Sequence, residues 1–203
     1  MLSRNMELSD RAEAIIRICT DADGRFLDYG GGYGLLVRLL RNRGLDFWLC
    51  DPHCDNLFAG PAQTVRPEGG TWEAVTAFEV LEHVVHPCEE VGRLLSLADT
   101  LICSTVLLPE PAPRPEAWHY YGLEHGQHVS LYSRESLRRL ADRVGARLFT
   151  NGMNLHVLTT SRAPVWRYRL ALGRWGRRIR RWMPRRESLT ARDVESLRSA
   201  ESG

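Results

Sequence analysis

A glycine-rich turn after the first predicted strand is the clearest chemistry-bearing feature of the chain. Residues 27–34 read LDYGGGYG, with Asp28 two positions before Gly30. Glycine lets the backbone approach a ligand closely, and the amides that open the next helix point toward such a ligand. We therefore expect a ligand at Gly30, Gly31 and Gly32. The alternative is a tight strand–helix turn that binds nothing.

The spacing of the glycines argues against a dinucleotide. A dinucleotide fingerprint has glycines at its first, third and sixth positions, and the sixth position counted from Gly30 is Leu35. Nineteen residues after Gly32, Asp51 closes the second predicted strand. An acid at that point can accept hydrogen bonds from both hydroxyls of a ribose. This geometry serves NAD and S-adenosyl-L-methionine (SAM) alike, so it does not choose between them.

A second cluster of reactive side chains lies in residues 118–128, WHYYGLEHGQH. The segment follows a predicted strand, so it begins at the carboxyl edge of the sheet, where α/β folds bind ligands. We predict His125 or His128 as a general base, with Glu124 orienting one imidazole. The aromatic residues predicted to wall an acceptor pocket are Trp118, Tyr120 and Tyr121. Alternatively, His128 buttresses the next strand and the aromatics only cover the sheet edge.

Metal and disulfide chemistry have weaker support. Glu124, His125 and His128 form a rival divalent-metal set, but no dedicated metal motif supports it and no metal is predicted. Cys50 and Cys54 are four residues apart without a second pair at zinc spacing. Free thiols in a reducing compartment are therefore expected.

Alternating strands and helices supply the scaffold for these residues. Strands are predicted at 25–29, 46–51, 72–80 and 100–108, with a weak one near 64–66. Helices are predicted from a cap at Ser9, after residue 34, over 86–98 and, capped by Ser133, over 133–144. Two last strands, 147–150 and 155–160, meet at the turn-forming pair Asn151 and Gly152. The pattern predicts a doubly wound, mostly parallel α/β sheet with a terminal antiparallel strand.

Three motifs in order resemble the class I SAM-dependent methyltransferases: LDYGGGYG, the acid Asp51, and AFEVLEHVVHP from residue 77. The similarity is greatest to small bacterial enzymes with a FEVLEH strand and a later H…YS…SL segment, here residues 128–137. It implies a Rossmann-like fold over residues 1–162 and SAM as cofactor. Asp28, Gly30 and Gly32 would hold the amino acid half of SAM and Asp51 its ribose. Phe78 and Glu79 would line the methionine end.

Two parts of the motif region have no predicted role in the chemistry. Residues 60–71 depart from the family pattern, so the adenine pocket has no predicted residues. Glu82 and His83 lie near a predicted helix start, where such groups cap backbone amides. We therefore expect them to cap a helix rather than to take part in chemistry.

The C-terminal extension, residues 163–203, is rich in arginine and tryptophan. All 27 basic residues of the chain are arginine, and residues 162–186 hold ten of them without an acid. Apolar residues recur every three or four positions from residue 165 to 183, so they would form one apolar stripe along a helix. This spacing predicts a basic amphipathic helix. Such a helix suits an anionic membrane surface, with packing on the domain and RNA binding as alternatives.

These features together predict an enzyme that methylates a hydroxyl of a sugar, glycan or other small-molecule acceptor. No apolar run resembles a signal peptide or a membrane span, so a cytoplasmic protein is expected, with peripheral contact at the inner membrane face through residues 165–183. An RNA methyltransferase that uses the basic extension is the first alternative, although nucleic acid is the weaker partner. A non-catalytic, membrane-docked subunit with a SAM fold is the second.

Overall fold

Helices and strands alternate in the computed structural model, which describes residues 2–60, 63–124 and 126–201. The strands span Arg25–Tyr29 (β1), Asp46–Cys50 (β2), Ala74–Phe78 (β3), Thr100–Ser104 (β4), Arg147–Thr150 (β5) and Leu155–Thr159 (β6). The α-helices span Leu2–Cys19 (α1), Leu35–Arg41 (α2), Pro87–Leu97 (α3), Arg134–Arg143 (α4), Val165–Leu172 (α5), Arg174–Trp182 (α6) and Thr190–Glu201 (α7).

The six strands form one sheet in the order β2-β1-β3-β4-β6-β5. Strands β1 to β4 are parallel, whereas β6 runs antiparallel to both β4 and β5. The chain moves outward from β1 to β2 and then returns to the other side of β1 with β3. Ligands of open α/β sheets bind at such a reversal, outside the carboxyl ends of the strands. The predicted fold class is confirmed.

Helices cover both faces of the sheet. Helices α1, α2 and α5 pack on one face around Phe26 and Phe47, and α3 and α4 pack on the other around Leu27 and Leu101. All four of these side chains are fully buried. Adjacent residues of a strand point to opposite faces, so a strand buried on both sides reads as a continuous apolar run. Strand β1, with Phe26 next to Leu27, is such a run.

The local signals differ in how well they predicted the elements. Ser133 caps α4 as predicted, accepting a hydrogen bond from the amide of Ser136 at 3.1 Å. The hairpin between β5 and β6 also forms, with Gly152 at φ +80°. The cap at Ser9 is wrong, because α1 begins at Leu2 and Ser9 is buried inside it, donating to the Met6 carbonyl. The weak third strand is reduced to one parallel bridge between Leu49 and Thr64.

The amphipathic stripe predicted as one helix is divided between α5 and α6. The backbone becomes extended at Gly173, whose low helix propensity favours a break. Tyr168 is fully buried and stacks on Phe149, with ring centroids 4.5 Å apart, and Ile179 packs against the same core. Arg180 pairs with Glu13 of α1 at 2.9 Å. Part of the stripe therefore stabilises the domain itself. In the described part of the chain, no helix has both the length and the apolar character needed to cross a bilayer.

Helix α7 is attached to the domain through a buried ion pair. Arg41 of α2 is 2% exposed and its Nη2 lies 2.6 Å from Oδ1 of Asp193, which is 4% exposed. Asp46 also contacts the same guanidinium. Because α2 follows the glycine turn directly, this ion pair fixes the helix that the turn leads into.

Candidate functional site

The glycine turn at the carboxyl end of β1 has no room for side chains at two positions. A Cβ on Gly30, whose φ is +68°, would lie 2.7 Å from Val80. A Cβ on Gly31 would lie 2.2 Å from Oδ2 of Asp28. At Gly32, with φ +58°, nothing stands within 4 Å, so the space beside this residue is open. The turn therefore has open space beside Gly32 on one side while it packs tightly on the other.

Asp28 lies beneath this turn and is only 1% exposed. Its Oδ1 accepts a hydrogen bond from the Thr76 hydroxyl at 2.7 Å, whereas Oδ2 is buried without a hydrogen-bond partner in the structure. Burial raises the pKa of this carboxyl from 3.8 to about 7. A buried, half-satisfied carboxylate is costly on its own, and a cation placed against it would lower that cost.

Asp51 lies at the carboxyl end of β2 and meets the glycine turn as predicted. Its Oδ2 accepts a hydrogen bond from the Gly32 amide at 2.7 Å. Its Oδ1 accepts from the amides of His53 and Cys54, at 2.8 and 3.1 Å. The carboxylate is thus held in one orientation at the edge of the turn.

A cavity of about 690 Å³ opens beside Asp51. Its walls come from the ends of β1 and β2, from α3 and from the loop after the Leu49–Thr64 bridge. Arg93 lies over the ring of Tyr29, 4.9 Å from its centroid, and donates to Glu90. This hydrogen bond holds the pKa of Glu90 below its usual value. The ring of Tyr29 thus forms an aromatic part of the cavity wall.

Glu79 follows β3 in a strained conformation. Its φ is +55°, a value that non-glycine residues seldom adopt and that recurs at functional sites. The Ser104 hydroxyl donates to Oε1 of Glu79 at 2.6 Å. Oε2 of Glu79 lies 3.7 Å from Nη1 of Arg4 in α1. The carboxylate is thereby directed to the gap between α1 and the sheet.

The capping role predicted for Glu82 and His83 is wrong. Both lie in a 3-10 turn, Leu81–His83, and α3 begins four residues later at Pro87 without a side-chain cap. Glu82 is fully buried, and its Oε1 accepts a hydrogen bond from the Tyr120 hydroxyl at 2.6 Å. Its Oε2 is buried without a hydrogen-bond partner in the structure. Burial raises the pKa of Glu82, and burial next to Glu82 raises that of Tyr120.

Two histidines meet beside this buried acid. The rings of His83 and His128 lie edge to face with centroids 5.0 Å apart. Nδ1 of His83 lies 2.9 Å from the Gln127 carbonyl, and Nδ1 of His128 lies 2.6 Å from the Tyr120 carbonyl. A carbonyl only accepts, so each Nδ1 carries a proton and each neutral ring has its lone pair on Nε2.

A second cavity, of about 430 Å³, lies between α1 and the ends of β3 and β4. It is lined by Glu79, Tyr120 and His128, and by residues of α1 that include Arg4 and Arg11. No motif or periodicity in the sequence indicates that α1 forms this wall. A larger open groove, beside the β5–β6 hairpin, is lined by none of the predicted site residues.

The predicted acceptor segment is only partly brought to this cavity. His128 and Tyr120 line it, whereas His125 lies outside the described residues. Glu124 is exposed, and the Tyr120 carbonyl is the partner of His128 Nδ1. Trp118 packs edge to face on Tyr121, whose hydroxyl donates to the Pro113 carbonyl. These two aromatics thus buttress the segment beside the cavity.

The chain is similar to several solved methyltransferase structures. They include TnmH (17% identity, TM-score 0.55, 79% of this chain and 58% of that one). An O-methyltransferase family protein from Burkholderia thailandensis matches at 15% identity and a TM-score of 0.55, over 79% of this chain and 56% of that one. The O-methyltransferase NcsB1 from neocarzinostatin biosynthesis, in complex with SAH and 1,4-dihydroxy-2-naphthoic acid, matches at 16% identity and 0.53, over 69% and 50%. At such identities the likeness concerns the fold, and the chain spans little more than half of the first two proteins.

Sequence comparison gives the family. No curated protein matches the chain. The family model described as a methyltransferase domain matches residues 4–151, which is most of the chain and includes the glycine turn, Asp51 and the FEVLEH segment. The chain therefore belongs to the methyltransferase-domain family, within the class I SAM-dependent methyltransferases that its motifs predict.

Proposed function

We propose that the protein transfers the methyl group of SAM to a hydroxyl oxygen of a small-molecule or glycan acceptor. The observation that carries this proposal is the 430 Å³ cavity, because the imidazole of His128 and the carboxylate of Glu79 both line it at the carboxyl end of the sheet. Solved neighbours with O-methyltransferase in their names, one of them holding an aromatic diol, support an oxygen acceptor.

The residues around the glycine turn fit SAM. SAM supplies an electrophilic methyl group on a sulfonium, and it also carries an ammonium and a ribose. The unpartnered Oδ2 of Asp28 suits the ammonium, and the open side of Gly32 admits the amino acid half. Asp51 would accept from the ribose, and the 690 Å³ cavity beside it would receive the adenine. Phe78 and Glu79, at the end of β3, would line the methionine end.

Methyl transfer needs an aligned acceptor more than covalent help from the protein. A hydroxyl acceptor also has to lose its proton, and the lone pair on Nε2 of His128 can accept it. The O–CH₃ bond then forms as the S–CH₃ bond breaks. His125 remains a candidate for the same task and Glu124 for orienting an imidazole, as predicted from the sequence.

Binding and transfer are measured separately to test this function. We expect calorimetry to show SAM binding to the full chain with about one site. We also expect methyl transfer from labelled SAM to catechols, phenols or sugars, with His128→Ala reducing kcat by about 100-fold while SAM affinity is unchanged. The matched control is His86→Ala, since His86 is exposed outside the cavity. Absence of SAM binding by the wild type would refute the function.

The arginine-rich extension supports a second proposal, contact with an anionic membrane. Trp166, Trp175 and Trp182 are 63%, 56% and 89% exposed. Exposed arginines surround them: Arg174, Arg178, Arg181 and Arg185. Indole rings next to cationic side chains are typical of segments that lie in the interface of an anionic bilayer.

Vesicle sedimentation tests this contact. We expect the protein to bind vesicles that contain phosphatidylglycerol and not pure phosphatidylcholine vesicles. Replacing the three exposed tryptophans by alanine should lower the vesicle-bound fraction about 10-fold, because the apolar part of the contact is lost. Replacing Ile179, which packs against the core of the domain, by valine should leave vesicle binding unchanged. Failure of the wild type to sediment, together with salt-dependent binding to RNA, would instead favour an RNA substrate.

A further inference from the structure

Glu82, His83 and His128 bring one ligand atom each to within 4.8 Å of the other two. From this cluster we propose that the protein binds a divalent first-row transition cation, such as Mn²⁺ or Zn²⁺, on these three side chains. The set differs from the Glu124, His125 and His128 set considered from the sequence. It draws on the FEVLEH turn and the later segment, which lie about 45 residues apart in the chain.

The histidines have the orientation of metal ligands. In metal sites the ring nitrogen that does not bind the ion usually donates to a carbonyl or carboxylate, which fixes the tautomer. Nδ1 of His83 and Nδ1 of His128 each meet a backbone carbonyl in this way. Both lone pairs are therefore on Nε2, the atom that would coordinate the cation.

The buried acid supplies an independent observation. Oε1 of Glu82 has the Tyr120 hydroxyl as its partner, whereas Oε2 has no hydrogen-bond partner although the residue is 0% exposed. A buried carboxylate oxygen without a partner is costly, and coordination to a cation removes that cost. The Tyr120 hydroxyl would orient the carboxylate, as outer groups around metal sites do.

The ligand types select the kind of cation. Two imidazoles with one carboxylate suit Mn²⁺, Fe²⁺, Co²⁺ or Zn²⁺, whereas Mg²⁺ prefers oxygen ligands. Three protein ligands leave positions open, and His128 and Tyr120 line the 430 Å³ cavity, so an open position would face the acceptor.

This inference extends the proposed methyl transfer and rests on it for its chemical use. A cation held by these three side chains would bind the acceptor oxygen at an open coordination position and would lower the pKa of the acceptor hydroxyl. The proton passes to water, the O–CH₃ bond forms and the S–CH₃ bond breaks. His128 then acts as a ligand of the cation, and the cation takes over the task that Nε2 would otherwise perform alone.

Cation binding can be measured without SAM or acceptor. We expect the chelator-treated full chain to bind one Co²⁺, seen as visible d–d absorption, and one Mn²⁺, seen by loss of the free-ion EPR signal. His83→Ala and His128→Ala should each weaken binding at least about 10-fold, as loss of one of three ligands requires. His83 is exposed, so its variant should keep the wild-type melting temperature. His86→Ala is the matched control and should bind as the wild type does.

The outcomes separate this inference from the methyltransferase function. No Co²⁺ or Mn²⁺ binding, or binding that both His83→Ala and His128→Ala retain, would overturn the cation site. Loss of binding in a His53→Ala or Cys54→Ala variant would also overturn it, because an exposed imidazole or thiol can bind the same cations. SAM calorimetry on the same metal-free sample tests the methyltransferase function, and its result does not depend on the cation.

Discussion

The Asp51→Ala variant should bind SAM at least about 100-fold more weakly than the wild type. Asp51 is held at the edge of the glycine turn by the amides of Gly32, His53 and Cys54. Each hydrogen bond from a ribose hydroxyl to this carboxylate is charge-assisted and contributes about 1.5–3 kcal/mol. Losing two such bonds corresponds to at least two factors of ten in affinity, at about 1.4 kcal/mol each. Isothermal titration calorimetry measures the change directly.

Two further variants make this result specific. Asp55→Ala removes an exposed acid from the same loop and should leave the SAM affinity within about two-fold of the wild type. Asp51→Asn keeps an oxygen for the Gly32 amide but loses the charge, so its affinity should fall between those of the wild type and Asp51→Ala. If Asp51→Ala binds SAM normally, the ribose does not lie at Asp51 and the position assigned to SAM is wrong.

The cofactor side of the site was predictable because its parts follow a topological rule. The carboxyl ends of neighbouring parallel strands meet at one edge of a sheet, so an acid after β2 has to lie near a turn after β1. The 2.7 Å hydrogen bond between Gly32 and Asp51 agrees with that expectation. The roles assigned to these residues are predictions that the SAM-binding experiments test.

The acceptor side was less predictable because its contacts join distant segments. Arg4 and Glu79 face each other across 75 residues of sequence, and no local periodicity marks such a contact. The sequence predicts a helix cap at Glu82, because an acid near a helix start often has that role. Helix α3 begins at Pro87, five residues after Glu82, and the Glu82 side chain instead points inward to Tyr120. The FEVLEH motif itself could have indicated a functional role for Glu82. Two acidic residues next to a buried strand are seldom buried in a core without a partner.

The 690 Å³ cavity, proposed to receive the adenine, was not predicted for a different reason. Its wall includes residues near Thr64, where the third strand is only a single bridge to Leu49. One bridge requires no alternating pattern, so only a weak strand signal marks residues 60–71, which glycines and prolines interrupt. The C-terminal apolar stripe was predicted only in part. Periodicity identifies the apolar residues on one side of a helix, but it does not indicate whether protein or lipid covers them.

Asp28→Asn should stabilise the SAM-free protein at pH 8 while weakening its affinity for SAM. The folded-state pKa of Asp28 is about 7, raised from 3.8 by burial. The folded state therefore holds the proton more tightly than the unfolded state. The contribution of Asp28 to the stability of the folded state is therefore greatest below pH 4 and falls as the pH rises from 4 to 7. The total loss is about 4 kcal/mol at about 1.4 kcal/mol per pKa unit, and asparagine avoids it.

Thermal melting at pH 5 and pH 8 with and without SAM measures both effects. Without SAM, we expect Asp28→Asn to melt several degrees above the wild type at pH 8 and closer to it at pH 5. Asp55→Asn makes the same change of charge at an exposed position and should show no such difference. Equal destabilisation of Asp28→Asn at both pH values would contradict the raised pKa.

SAM should reverse the ranking of the two proteins. If the ammonium of SAM lies against Oδ2 of Asp28, it favours the charged carboxylate and lowers the pKa of Asp28 in the complex. Binding then releases a proton, so the SAM affinity of the wild type should rise between pH 6 and 8, whereas that of Asp28→Asn should stay flat. A buried acid that destabilises the free protein would thus be retained because it recognises the charged end of the cofactor. A wild-type affinity independent of pH would place the ammonium elsewhere.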